Sequence, residues 1–218
     1  IKLGHFVMLC TNGLKLYDFL DEIKPHPNLS FVVHIDGLEG THDLITKRPG
    51  TFKKAIKAIK KAKSLGFQVK SNTTVYKDTD AAEINKLFLL LKETGIDGVM
   101  VSPAFSYEKV ESELFLEKKE IKNVFKDIYS NLNGVKLYNT PIYWDFLMGE
   151  KDLACTPWST PTFNIKGWKS PCYLITDNHF SSYKEMMLKT PWDQYGFGKD
   201  KRCTNCMMHC GYEASSIL

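Results

Sequence analysis

The sequence predicts an α/β protein built on parallel strands. Three observations carry that expectation. Short β-branched and aromatic runs alternate with segments of helical period. Two of the helical segments close on a glycine immediately before the next strand, at Gly66 and Gly95. The segments between strands are long enough for the crossovers that parallel pairing needs, about a dozen residues or more.

The elements follow in order. Phe6–Cys10 is an apolar run that reads as a buried strand, and Thr11-Asn12-Gly13 after it is turn chemistry. Leu14–Ile23 reads as helix, stopped by Pro25 and Pro27 because proline lacks the amide donor. Phe31–Ile35 is the second strand, ended by Asp36-Gly37. Thr51–Leu65 repeats Phe52, Ala55, Ile56, Ile59 and Ala62 at helical spacing. Its lysines, Lys53, Lys54, Lys57, Lys60, Lys61 and Lys63, read as the solvated face of that helix. Phe67–Val75 is the third strand, Ala81–Thr94 a helix with Ile84, Leu87, Phe88 and Leu91 on one face, and Val99–Val101 the fourth strand, running into Ser102-Pro103. Glu117–Leu132 is a last amphipathic helix. After about residue 150 the pattern breaks among Pro157, Pro161, Pro171 and Pro191, and helical signal returns only at Ser182–Leu188. The expected division is a barrel-like part, 1–150, and a loop-rich, cysteine-rich extension, 151–218.

A chain of 218 residues with 43% hydrophobic content can build a core without disulfides. The net charge of +4 is too small to argue for nucleic acid, and no dense Lys/Arg tract is interleaved with aromatics. No apolar run is long enough to span a bilayer. The sequence has no initiator Met and no secretory signal, and a strand begins almost directly after Ile1. We therefore expect it to start inside a domain. Of the six cysteines Cys10 stands alone, and Cys155, Cys172, Cys203, Cys206 and Cys210 fall in the last third. Without a secretory signal that clustering favours metal over disulfides.

Ligands of parallel α/β folds sit beyond the carboxyl ends of the strands. Here those ends carry Cys10, Thr11 and Asn12, then His34 and Asp36, then Asn72, Thr73 and Thr74, then Ser102. Each has an ordinary alternative: a turn for Asn12-Gly13, a loop cap for Asp36, a satisfied core histidine for His34, a small buried filler for Cys10. Together they predict a polar small-molecule site at one rim, since buried polar groups cost free energy unless paired.

The stretches LCTNG, HIDGLEGTHDLITKRPGTF, GFQVKSNTTV, GVMVSPAFSYEK, ACTPWSTPTFNIKGWKSPCYL and CTNCMMHCGYE resemble radical S-adenosylmethionine (SAM) enzymes. The nearer resemblance is to the HpnH-type, adenosylhopene-forming branch of hopanoid biosynthesis, and it covers essentially the whole chain. The signature CxxxCxxC, which binds the [4Fe-4S] cluster that cleaves SAM, is absent from the sequence. The CxxCxxxC run of Cys203, Cys206 and Cys210 has the reverse order. The resemblance therefore implies the C-terminal portion of such an enzyme: a partial (βα)6 TIM-like barrel, lacking its first strands, with SAM at the carboxyl rim. It implies SAM contacts at Thr11, Asn12, His34, Asp36, Asn72 and Ser102, and a pairing of Arg48 with the methionyl carboxylate, which suits a guanidinium fork.

The implied reaction is addition of the 5′-deoxyadenosyl radical to the alkene of a hopene such as diploptene, with Cys10 giving the final hydrogen atom. The implied partners are SAM, a hopene-type lipid and an electron donor such as flavodoxin or ferredoxin. The implied location is the cytoplasm, with peripheral contact at the inner membrane face. Cys155, Cys172, Cys203, Cys206 and Cys210 resemble the auxiliary-cluster extensions of some of these enzymes, and thiolates suit iron–sulfur and zinc alike; buried reduced thiols are the rival reading. Two other readings remain at this stage: a radical SAM enzyme with another substrate, and a non-catalytic, metal-stabilised binding protein on the same scaffold.

Overall fold

The computed structural model describes residues 1–105 and 113–216, so the end of the GVMVSPAFSYEK stretch lies outside the described residues. The chain divides into two compact units. The first comprises Ile1–Val75, Thr79–Ser102 and Asp127–Asn139, and the second Tyr76–Asp78, Pro103–Lys126 and Thr140–Leu218.

The first unit holds a sheet of β1 (Val7–Thr11), β2 (Leu29–His34), β3 (Gln68–Val75) and β4 (Gly98–Pro103, whose last residue falls in the second unit), ordered β1-β2-β3-β4. β1 pairs with β2 and β2 with β3 in parallel, with Cys10 opposite Val32, Val32 opposite Lys70, and His34 opposite Asn72. A parallel bridge from Val99 to Leu137 adds the beginning of a fifth line. Asn139 follows it, and its buried side-chain oxygen accepts the Val101 amide at 2.7 Å. The α/β class and parallel sheet expected from the sequence are present.

Helices α1 (Leu16–Phe19), α2 (Glu39–Ile45), α3 (Thr51–Ser64) and α4 (Ala81–Glu93) belong to this unit. α3 buries Phe52, Ala55, Ala58, Ile59 and Ala62, a stripe at helical spacing that faces the sheet. Gly50 at its entry offers no capping side chain. Asp43 caps α3 instead, accepting the amides of Gly50 at 2.5 Å and Phe52 at 2.8 Å and so satisfying donors that a helix start leaves open.

α1 is a single turn rather than the ten-residue helix expected over Leu14–Ile23. The Asn12 side chain accepts the Leu14 amide at 3.2 Å, so the beginning of that segment is a turn. Gly13 sits within it at φ 76°, where a Cβ would lie 3.0 Å from the Ala55 Cα. Only glycine allows this loop to lie so close to α3.

The second unit contains most of α5 (Lys118–Tyr129), then α6 (Pro141–Met148), and a three-stranded antiparallel sheet of β5 (Thr162–Asn164), β6 (Gly167–Pro171) and β7 (Thr176–Phe180). α7 (Tyr183–Lys189) and α8 (His209–Ser215) complete it. Its core stacks Phe146 on Tyr212 with ring centroids 4.4 Å apart, and Tyr143 donates its hydroxyl to the Met207 carbonyl at 2.8 Å. Thr140 caps α6, and its own amide donates to Glu213 on α8 at 2.6 Å. The region beyond residue 150 is thus more regular than the loop-rich extension expected. Its strands are short and polar, and β5 and β7 carry little of the β-branched signal by which strands are read.

Candidate functional site

Side chains alternate across a strand, so the register fixes which residues share a face. Cys10, Val32, His34, Lys70 and Asn72 lie on one face of the parallel sheet. Val33, Val69, Ser71 and Thr73 lie on the other, where Gly13 and α3 pack close to Val33. The first face is the one opposite the α3 side.

His34 and Asp36 form the most polar point of the rim. His34 Nε2 stands 2.6 Å from Asp36 Oδ2; the Asp36 side chain is wholly buried and that of His34 is 34% exposed. Asp36 Oδ1 accepts the Thr74 amide at 2.8 Å, which ties the end of β2 to β3. The Asp36 amide donates to His42 Nδ1 at 3.2 Å. That bond makes His42 Nδ1 an acceptor, so a neutral His42 carries its proton on Nε2, which is buried with no hydrogen-bond partner.

The two histidines titrate in opposite directions. Burial alone would lower the pKa of His34, but the contact with Asp36 and its negative charge outweigh burial and hold it above the ordinary 6.5. Burial lowers the pKa of His42, with the charge of Asp36 offsetting part of the shift and that of His34 adding to it. His34 is therefore the proton carrier of the pair and His42 a neutral support.

The remaining residues expected at the site fall into three groups. Asn72 is half-buried directly across from His34, and among the described residues its side-chain amide has no hydrogen-bond partner. Thr11 and Asn12 shape the loop: Thr11 Oγ1 accepts the Gly13 amide at 3.1 Å, and Asn12 forms the turn already described. Thr73 donates to the Ile35 carbonyl at 2.7 Å and is fully buried, and Ser102 is buried at the end of β4. Arg48 is exposed in the turn before α3, where its amide donates to the Asp43 carbonyl at 3.0 Å.

Cys10 is exposed on the edge strand. It borders a cavity of about 540 Å³ whose wall combines Leu9, Leu16, Phe19 and Phe31 with Lys15, Asp18 and Glu22; Leu9 and Phe31 belong to the other face of the sheet.

Cys155, Cys172, Cys203, Cys206 and Cys210 gather in the second unit. Thr156 donates its amide to the Gly211 carbonyl at 2.9 Å, and Thr160 its hydroxyl to the Cys210 carbonyl at 2.7 Å. These bonds bring Cys155 against the start of α8. A Cβ on Gly211 would lie only 2.6 Å from Cys155 Sγ, so this approach requires glycine. Burial pushes Cys155 and Cys210 up to about 12 and Cys206 well above its ordinary value, and it also raises Cys172 and Cys203. Among the described residues no group of three or more His, Cys, Asp or Glu side chains is arranged to hold a metal ion. The five cysteines gather in one unit, with Cys203, Cys206 and Cys210 buried and Cys155 and Cys172 partly buried.

The same test bears on the main cluster. Cys10 is the single cysteine of the first unit, so the rim does not fit a [4Fe-4S] cluster from its own residues. It does fit a small polar ligand. His34 and the unpartnered amide of Asn72 stand side by side on one face, and a wholly buried carboxylate holds His34.

Residues 1–91, which hold the first three strands of the parallel sheet, match the radical SAM superfamily. Residues 99–218, more than half of the chain, match the domain of unknown function DUF3463, and the chain belongs to that family. Among solved structures it is similar to Streptococcus suis SuiB, with a TM-score of 0.50 and 13% identity, over 66% of this chain and 35% of SuiB. The likeness to SuiB bound to precursor peptide SuiA has a TM-score of 0.50 and 14% identity, over 66% of this chain and 34% of that one. Native anSMEcpe with bound AdoMet is 22% identical, with a TM-score of 0.49, over 72% of this chain. The chain spans 46% of the length of that protein. At these identities the likeness to SuiB is one of fold. No curated protein matches the chain.

Proposed function

We propose that this chain is the barrel and C-terminal part of a radical SAM transferase that joins the 5′-deoxyadenosyl group of SAM to the alkene of a hopene-type lipid. The observation that carries the reading is the shared face of Cys10, His34 and Asn72 at one end of a parallel sheet.

The electron that opens SAM would come from a [4Fe-4S] cluster, for which the first unit offers no ligand set beyond Cys10; the residues of this chain bind, orient and terminate. His34, held by Asp36 and protonated below its raised pKa, is a donor suited to the methionyl carboxylate. The Asn72 amide offers both a donor and an acceptor to the nucleoside. Arg48, exposed and without an acidic partner among the described residues, is a second cation for the carboxylate.

Cys10 ends the reaction. Its S–H bond breaks as a C–H bond forms on the substrate carbon, and the sulfur is left as a thiyl radical. One electron and one proton, from a donor such as flavodoxin or ferredoxin and from solvent, restore the thiol. The C–H bond is the stronger of the two, so the transfer runs downhill. The test is anaerobic reconstitution of the protein from its complete gene with SAM, a reductant and diploptene, followed by mass analysis. A product heavier than diploptene by one adenosyl group and one hydrogen supports the reading. SAM cleavage without a diploptene adduct would overturn the substrate.

A further inference from the structure

A second cavity of the first unit, of about 610 Å³, lies at the opposite, amino-terminal end of the strands and takes no part in the reading above. Lys70, the third residue of β3, lines it and is only 8% exposed. Its ammonium lies 3.7 Å from the centroid of the Tyr138 ring and 3.8 Å from Met8 Sδ. An aromatic face and a thioether are weak partners for a cation, and neither carries charge. Among the described residues no carboxylate forms an ion pair with Lys70. Withdrawing an ammonium from water without an anion is costly, so the arrangement is complete only when one enters.

The charges around the cavity agree. Asp97 also lines it, with its Oδ2 held by the Lys63 ammonium at 2.7 Å and by the Val69 amide at 2.6 Å. Lys136 adds a second, exposed cation at the mouth, and buried Ser30 a hydroxyl. Phe6, Met8 and Leu29 give the wall an apolar side, and Asn28 and Gln68 add polar groups.

We propose that this cavity is a binding site for an organic anion whose acidic head meets Lys70 and whose apolar body lies along Met8 and Leu29. A carboxylate and a phosphate monoester share that chemistry, and the test separates them. Binding of hexanoate, hexyl phosphate and hexanol to the full chain is followed by calorimetry and thermal melting. The two anions bind and raise the melting temperature, the tighter one identifying the head group, while neutral hexanol has no effect. Lys70→Met weakens anion binding by about tenfold or more, the scale of one charge-assisted hydrogen bond. Lys53→Met, on the solvated face of α3, leaves it unchanged. Failure of both anions to bind, equal stabilisation by hexanol, or undiminished binding by a folded Lys70→Met chain would each overturn the proposal. The hexanol comparison needs no variant, so it decides the matter even where Lys70→Met does not fold.

Discussion

His34 Nε2 lies 2.6 Å from Asp36 Oδ2, which places a partly exposed imidazole on a wholly buried carboxylate at the end of β2. The contact sets the ring's orientation and its charge together. Without Asp36 only burial would act on His34, and burial lowers an imidazole pKa. Asp36→Asn should therefore bring the His34 pKa from above 6.5 to below it, as followed by NMR titration of the ring protons. The substitution should also cost about 1–3 kcal/mol in urea unfolding, because a hydrogen bond to a charged group is lost.

The same pair makes stability depend on pH. His34 has its pKa raised in the folded state, so its contribution is fully present below the unfolded value of about 6.5 and is lost as pH rises through the folded value. His42 works the other way, and its lowered pKa costs stability as pH falls below 6.5. Subtracting the urea midpoints of His34→Gln from those of the wild type isolates the first effect. The wild-type advantage should be greatest on the acid side of 6.5 and shrink on the alkaline side.

Gly13 should not accept a side chain. An alanine there combines a positive φ of 76° with a Cβ 3.0 Å from the Ala55 Cα. Gly13→Ala is expected to destabilise the chain by about 1–3 kcal/mol, read as a shift in urea midpoint at unchanged slope. Gly40→Ala, where a Cβ meets nothing within 4 Å, is the matched control.

The thiols should separate by reactivity. Cys10 is exposed, whereas burial holds Cys155, Cys206 and Cys210 protonated far above neutral pH. Under native conditions at mildly alkaline pH, iodoacetamide should modify Cys10 about tenfold faster or more than those three. Peptide mass mapping over time measures the order.

Much of the first unit was legible because its elements carry their own signals. α3 and α4 show apolar stripes closed by Gly66 and Gly95, and β2 is an unbroken buried run. α2 was not legible, since Glu39–Ile45 is short and contains Gly40, Thr41 and His42. Distant partners hold it: Glu83 on α4 accepts the Leu38 amide at 2.8 Å and the Thr41 hydroxyl at 2.9 Å, and Asp36 anchors His42. The β5–β6 hairpin was missed although its turn carries a signal. Asn164 accepts the Lys166 amide at 2.8 Å, and Gly167 has no room for a Cβ beside the Phe180 carbonyl. An Asn-x-x-Gly run between Phe163 and Trp168 is that pattern in sequence.

At the rim, the strand-end rule picked out His34, Asp36 and Asn72, but only the register could show that Cys10 shares their face and that Thr73 does not. Spacing likewise gathered the five C-terminal cysteines without showing which are buried: Cys203, Cys206 and Cys210 are, Cys155 and Cys172 only partly. The aromatics of the second unit differ in burial. Tyr143 and Trp144 are fully buried, while Phe163 is 64% exposed.

The most direct test of Cys10 as the hydrogen donor is the reaction run in heavy water, because a thiol exchanges its hydrogen with solvent and a carbon-bound hydrogen does not. With the anaerobically reconstituted protein from the complete gene, SAM and diploptene, the wild type should place one deuterium in the adenosylated product, whereas Cys10→Ala should cleave SAM and yield no such product. A Cys10→Ala enzyme that forms the same product with the same deuterium content would contradict the account.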